Sequence, residues 1–165
     1  EISLKLFFLF PLLCFHLSLF SNSYEKALDF FENQLSFKQI SLNEFTNNYD
    51  ESLGSYKVNT HGAEIEITSP FKEIYFINNN GVEIHDLEFN QIKFISKDEL
   101  KNNFIFNLFI QNSTYDNVEL IDDSSFMIYE NKIPIFFNFI DNKTLEIKYK
   151  DNMGINNLIT FSKNQ

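Results

Sequence analysis

The side chains with chemistry to offer are few. Histidine stands at His16, His61 and His85. His85-Asp86 has the makings of an acid–base or metal-binding fragment, but no further ligand stands at a spacing that would complete a site. A strand-end pair facing solvent is the simpler reading. Ser124-Ser125 lacks the G-x-S-x-G context that sharpens a serine nucleophile. Carboxylates are many and scattered, and nothing selects two of them as general acid and base. Cys14 is the only cysteine, so neither a disulfide framework nor a cysteine-based zinc site can be built. With only 4 Gly, no phosphate-cradling loop is visible. The expectation is no catalytic residue, no metal, no cofactor and no enzyme.

What the chain has in excess is apolar surface. It carries 21 Phe and 7 Tyr but no Trp, and all 13 basic residues are Lys. Abundant Asn, Lys, Phe and Ile together read as compositional drift, which lowers the weight of any Asn-rich spot. The net charge is −10 with no basic stripe. A nucleic-acid binder needs cations to neutralise phosphates, so nucleic acid is excluded as a partner. An anionic membrane surface would repel the same chain, and the balance fits a soluble protein.

The elements that must position these side chains follow from periodicity. Tyr24, Ala27, Leu28, Phe31 and Leu35 recur at helical spacing, predicting a helix from Tyr24 to about Phe37. Ile40, Leu42 and Phe45 then alternate as extended chain. NNYDESLG (47–54) reads as a turn-rich connection. Strands are expected at 56–58, 63–67, 73–77, 82–85 and 91–95, with turns at 60–62, 78–81 and 86–90. Ser96-x-x-Glu99 has capping-box spacing, and Leu100, Phe104, Ile105, Leu108 and Phe109 follow on one helical face. After a polar loop at 111–117 come strands at 125–130, 134–140, 144–150 and 158–162. Helix, about four strands, helix, about four strands is an antiparallel α+β order in one domain, with helices covering one face of a curved sheet. Ile74-Tyr75-Phe76-Ile77 is apolar at four consecutive positions, where a half-exposed strand would alternate. Both of its faces need cover.

Residues 1–23 differ from the rest. One Lys is followed by an apolar run from Leu6 to Phe20 and by Ser21-Asn22-Ser23, small residues suited to cleavage before Tyr24. This is a secretory signal pattern. The run is shorter than the ~20 residues of a spanning helix. Cys14 lacks a lipobox context. The mature domain is expected to be 24–165, outside the cytoplasm.

From Tyr24 to Gln165 the chain resembles the LolA-type family, the periplasmic carriers of outer-membrane lipoproteins. The resemblance is carried by Ile40-Ser41-Leu42-Asn43-Glu44-Phe45-Thr46, then Gly54 with Tyr56 and Val58, then Ser69-Pro70-Phe71-Lys72 at the family's proline entry. Asn78-Asn79 occupies the family's Asp-Gly turn, His85-Asp86 its Tyr-Asp, and Phe89-Asn90-Gln91-Ile92 its corner. Asp151-x-x-Gly154 with 158–162 resembles its last repeated hairpin. Three features depart. The arginine associated with lid closure would fall near Asn59, Thr60 or His61, and the chain has none. A family Trp is replaced by Ile65, and the final strand is absent after Gln165.

The resemblance implies an incomplete antiparallel β-barrel whose open, concave side is plugged by helices. The cavity between them would hold the acyl chains of lipoproteins. The partners implied are acylated lipoproteins, an inner-membrane lipoprotein-releasing ABC transporter complex and an outer-membrane lipoprotein receptor, with the carrier working as a monomer in the periplasm. Candidate walls are Tyr56, Val58, Ile65, Ile67, Ile74, Phe76, Val82 and Ile84, and a candidate lid is Phe104, Phe106, Leu108 and Phe109. The alternatives are a lipid-binding or envelope-sensing module of the same fold with another ligand, and a structural envelope protein with a dry core.

Overall fold

The computed structural model describes residues 22–43, 47–100, 118–130, 132–151 and 153–164. A short helix, α1 (Ser23–Phe31), opens the described chain. Strands β1 (Leu35–Asn43), β2 (Asn48–Asn59), β3 (Gly62–Ser69), β4 (Glu73–Asn78), β5 (Gly81–Asp86) and β6 (Gln91–Ser96) follow. A second run holds β7 (Val118–Leu120), β8 (Ser125–Glu130), β9 (Ile133–Phe139), β10 (Thr144–Lys150) and β11 (Asn156–Lys163). All eleven strands form one open sheet in the order β6-β5-β4-β3-β2-β1-β11-β10-β9-β8-β7. Every neighbouring pair is antiparallel.

Two meanders are thus joined at one seam, β1 against β11. Each meander is made of local hairpins, while the seam pairs Leu35 with Lys163 and Leu42 with Asn156. Strand alternation sends Leu35, Phe37, Gln39 and Ser41 of β1 to the same face as Asn157, Ile159 and Phe161 of β11. This inner face also carries α1. The outer face receives Lys38, Ile40 and Leu42, together with the Lys38–Glu51 ion pair at 2.7 Å.

The fold is mostly β with one short helix among the described residues, rather than α+β with helices across the open side. The periodic stretch that starts the domain divides between α1 and β1. Asn22 caps α1 by accepting from the Glu25 N–H at 2.9 Å, and Ala27, Phe30 and Phe31 are its buried side. The helix stops because the Asn33 amide donates to the Asp29 and Phe30 carbonyls at 2.8 and 3.0 Å, which satisfies its last acceptors. Leu35, placed on the helix by spacing, enters the sheet instead, where pairing on both sides outweighs propensity. Residues 1–21 lie outside the described residues. The expected cleavage point after Ser23 falls in the first turn of α1, where Ser23 Oγ donates to the Ser125 carbonyl at 3.0 Å.

Two further differences have the same cause. NNYDESLG is not a connection but most of β2, which pairs with β1 from Asn48 to Tyr56. Its polar side chains are tolerated because they lie toward solvent. Val118–Leu120, only three residues long, adds β7 at one edge. Of the second expected helix, only its start is described. Glu99 Oε2 accepts from the Ser96 N–H and Oγ at 2.9 and 2.7 Å, so one arm of the capping box is formed.

α1 covers the β7–β11 half, where the core is dense and aromatic. Phe126 stacks on Phe137 with centroids 4.5 Å apart, and Tyr24 meets Phe126 edge-on at 5.5 Å. Phe30 packs against Phe139 at 5.6 Å, with the Lys26 ammonium 4.2 Å over the Phe139 ring. No described helix is long and apolar enough to cross a membrane.

Gly54 sits at a register shift between β2 and β3, and a Cβ there would collide with the Glu66 backbone carbonyl and lie 2.6 Å from the Phe37 ring. Gly54→Ala is expected to destabilise the fold by about 1–3 kcal/mol through overpacking, read as a lowered urea midpoint with an unchanged slope.

Candidate functional site: an apolar cavity on the inner face

The β1–β6 half has no helix of the described chain packed across it. Its inner face forms two rows. One runs Tyr56, Ile65, Tyr75, Ile84 across β2 to β5, and the other runs Ala63, Ile77, Val82, Ile95 across β3 to β6. Together with Phe37, Gln39, Ile67, Leu100, Ile159 and Phe161, most of these residues line a cavity of about 280 Å³. One cavity touched by strands from β6 to β11 requires a curved sheet, because six strand spacings of about 4.8 Å would otherwise span roughly 29 Å. Phe31 closes the side toward α1, packing edge-on against Tyr56 and Phe161 at 5.8 and 5.3 Å.

Of the eight wall candidates, Tyr56, Ile65, Ile67, Val82 and Ile84 line the cavity. Val58 shares their parity but stands at the β2–β3 hairpin end opposite Ala63, 49 % exposed. Ile74 and Phe76 lie on the outer face. The register decides this, because Tyr75 pairs with Ile84 and Ile77 with Val82. Four consecutive apolar residues carry no parity of their own, so the inward pair of β4 is Tyr75 and Ile77. Phe76 packs edge-on against the His85 ring at 4.9 Å, and Ile74 stands opposite His85. Beside them Ile92 and Phe94 of β6 remain 68 % and 54 % exposed. The outer side of the apolar run is therefore only partly covered. The lid candidates Phe104, Phe106, Leu108 and Phe109 lie outside the described residues.

Sequence reasoning missed Phe37, Gln39, Tyr75, Ile77, Ile95, Leu100, Ile159 and Phe161 as lining residues. Alternation in Leu35–Ser41 and in Asn157–Phe161 was the available signal, and it becomes readable only once 35–43 is known to be a strand. The NNNG turn is also shifted by one. Asn78 pairs with Gly81, so Asn79-Asn80 are the turn residues, and Gly81 takes φ 150° at the start of β5.

Several polar groups of the inner face are engaged in hydrogen bonds among the described residues. The Tyr75 hydroxyl donates to Glu73 Oε2 at 2.6 Å. Burial first, then that hydrogen bond and the charge of Glu73, raise the Tyr75 pKa. Burial, with Glu32 adding repulsion, raises that of Tyr56. At the β1–β11 seam, Gln39 Nε2 donates to Ser41 Oγ and Asn157 Oδ1 at 3.1 and 3.2 Å, and Ser41 Oγ donates to Asn157 Oδ1 at 2.7 Å. Tyr149, opposite Asn157 on β10, shares this end of the face.

His85 contacts the Glu83 carboxylate, while Asp86 Oδ1 accepts from the Glu88 and Phe89 N–H groups at 2.9 Å each, an ordinary turn. Ser124 Oγ donates to Asp122 at 2.8 Å in an exposed loop, and that bond contributes to holding the Asp122 carboxyl below its usual range, after the Ser124 N–H. Among the described residues no cluster of three or more His, Cys, Asp or Glu is placed to hold a metal. A second depression, of about 800 Å³, lies mainly on the outer face between Ile40, Leu42, Phe136, Leu158 and Lys148. It is more open, and lysines stand in it, so it shelters hydrocarbon less well than the inner cavity.

No family profile matches the chain, and no curated protein matches it. Among solved structures, a redesigned β-barrel is similar over 85 % of this chain and 96 % of its own, at 7 % identity and a TM-score of 0.35. That likeness carries no functional argument.

Two outcomes follow from the geometry. Ile84→Asn places an amide in the cavity wall and is expected to weaken binding of a hydrophobic dye about tenfold, whereas Ile74→Asn on the outer face leaves it within about twofold; fluorescence titration compares the two. Burial, then repulsion from Asp151, pushes the Tyr149 phenol from 10.0 up to about 12. The folded state keeps this proton at a pH where the unfolded chain has lost it. Its contribution to stability is complete below pH 10.0 and falls as the pH rises through about 12. Tyr149→Phe should flatten part of that alkaline decline in urea melts taken across the range.

Proposed function

We propose that this protein is a non-catalytic carrier that shelters acyl chains in the cavity of its inner face. The observation that carries the reading is an aliphatic and aromatic cavity of about 280 Å³ on the inner face of β1–β6 and β11, bordered on one side by Phe31 of α1. A cavity of 150 Å³ holds one benzene, so 280 Å³ corresponds to about eleven carbon atoms. At ~0.8 kcal/mol per buried CH₂, that length of chain gains roughly 9 kcal/mol gross on leaving water. Such a shelter is what a lipid needs to cross an aqueous compartment.

The specific form of the proposal is the one the LolA-type resemblance implies. The cargo is an acylated lipoprotein, taken from an inner-membrane ABC transporter complex and handed to an outer-membrane receptor across the periplasm. A second reading is favoured by the cavity's size and by the absence of arginine. A module of similar fold would hold one single-chain lipid, since 280 Å³ fits about one chain and a cargo with several would require the inner face to widen.

Native mass spectrometry on the protein recovered from envelope extracts separates these readings. An acylated peptide in the complex supports lipoprotein carriage, and a free single-chain lipid supports the second reading. An empty protein that also fails to take up a hydrophobic dye would sink both.

A further inference from the structure

We infer that the ligand of the inner cavity carries a neutral head group that donates a hydrogen bond, a hydroxyl or an amide N–H, which Gln39 accepts. The inference rests on the acyl-chain reading and names the class of ligand. Among the described residues lining the cavity, Gln39 is the only one with a side-chain amide, and the others are aliphatic side chains, Phe and two Tyr. Its orientation is set by a chain of hydrogen bonds that starts at the backbone. The Ile155 carbonyl accepts from Asn157 Nδ2 at 3.0 Å, which turns Asn157 Oδ1 toward β1. That oxygen already accepts from Ser41 Oγ at 2.7 Å and requires a donor from Gln39, so Gln39 must present Nε2 to it. A flipped amide would set two carbonyl oxygens against each other.

With Nε2 committed to Ser41 and Asn157, what Gln39 retains for a ligand is Oε1, an acceptor. Oε1 makes no hydrogen bond within the described residues, and it is not sealed from contact. In a wall whose other side-chain polar groups among the described residues are the Tyr56 and Tyr75 hydroxyls, an incoming donor gains a hydrogen bond at Oε1, and an incoming acceptor meets like partial charge. A fatty-acid carboxylate fares worst. No Lys or His is among the described lining residues to compensate a buried anion, and the whole chain carries −10.

The test is a dye-displacement series with three probes of similar chain length at about pH 8, where a carboxyl is ionised: decanol, methyl decanoate and decanoate. Wild-type protein should bind decanol about tenfold tighter than methyl decanoate, the worth of one hydrogen bond, and decanoate most weakly. Gln39→Leu should bring decanol level with methyl decanoate. Equal affinities on the wild type, or a decanol preference that survives Gln39→Leu, overturns the inference while leaving acyl-chain binding intact. Failure of the dye and all three probes to bind overturns the acyl-chain reading and this inference with it. Asn157→Leu, which removes the acceptor that holds Nε2 and so frees the Gln39 amide to turn, should reduce the same preference, and a preference that survives it overturns the inference even if Gln39→Leu misfolds.

Discussion

The structure depends on the pairing of β1 with β11. Each meander is a set of local hairpins, but a curved sheet with a usable inner face exists only when the two are joined, and the join is made by strands more than a hundred residues apart. Eight residue pairs from Leu35–Lys163 to Leu42–Asn156 make it. Closing so long a loop is entropically costly, and the aromatic packing directly over the seam offsets that cost. Phe31 of α1 lies on Phe161 of β11 and on Tyr56 of β2, and Phe37 of β1 meets Phe161 at 5.7 Å. The same contacts close one side of the cavity.

The two halves of the sheet solve the burial problem differently. Over β7–β11, nine helical residues bring Ala27, Phe30 and Phe31 down onto Phe-rich strands, and the packing is dense. Over β2–β6 the inward residues of the two rows are Ile, Val, Tyr and Ala, and the described residues leave a cavity above them. Close packing is the rule in protein interiors, and the described residues leave about 280 Å³ unfilled on this face. The Gln39–Ser41–Asn157 cluster sits where the halves meet. Its hydrogen bonds commit Gln39 Nε2 to Ser41 and Asn157 and leave Gln39 Oε1 without a partner among the described residues.

Much of the strand content was legible in the sequence. Alternation in 63–67 and 144–150, and Gly, Asn and Asp at the turns, mark hairpins through local physics alone. The misreadings share a cause. Leu35 completes a helical pattern, yet it is a strand residue because β2 and β11 flank it. Residues 47–54 have turn composition, yet β1 offers them a full ladder. Ile74 to Ile77 had no parity until Val82 and Ile84 supplied it across the strand. Of the cavity walls, Tyr56, Ile65, Ile67, Val82 and Ile84 could be named in advance because each lies in an alternating stretch. Ile159 and Phe161 reach the cavity through the seam, and no local pattern announces that.

By itself the sequence determined that this chain carries abundant aromatic and aliphatic surface in hairpin-forming stretches and a net charge of −10. Those properties follow from composition and from periodicity over a few residues. Only the tertiary structure decided which side of each strand faces inward, and so which residues make walls and which make surface. That choice depends on register across neighbours, since a one-residue slip exchanges the two faces. It also decided that Gln39, an ordinary polar residue in the sequence, is an oriented acceptor. Its orientation passes from the Ile155 carbonyl through Asn157, from the other end of the chain.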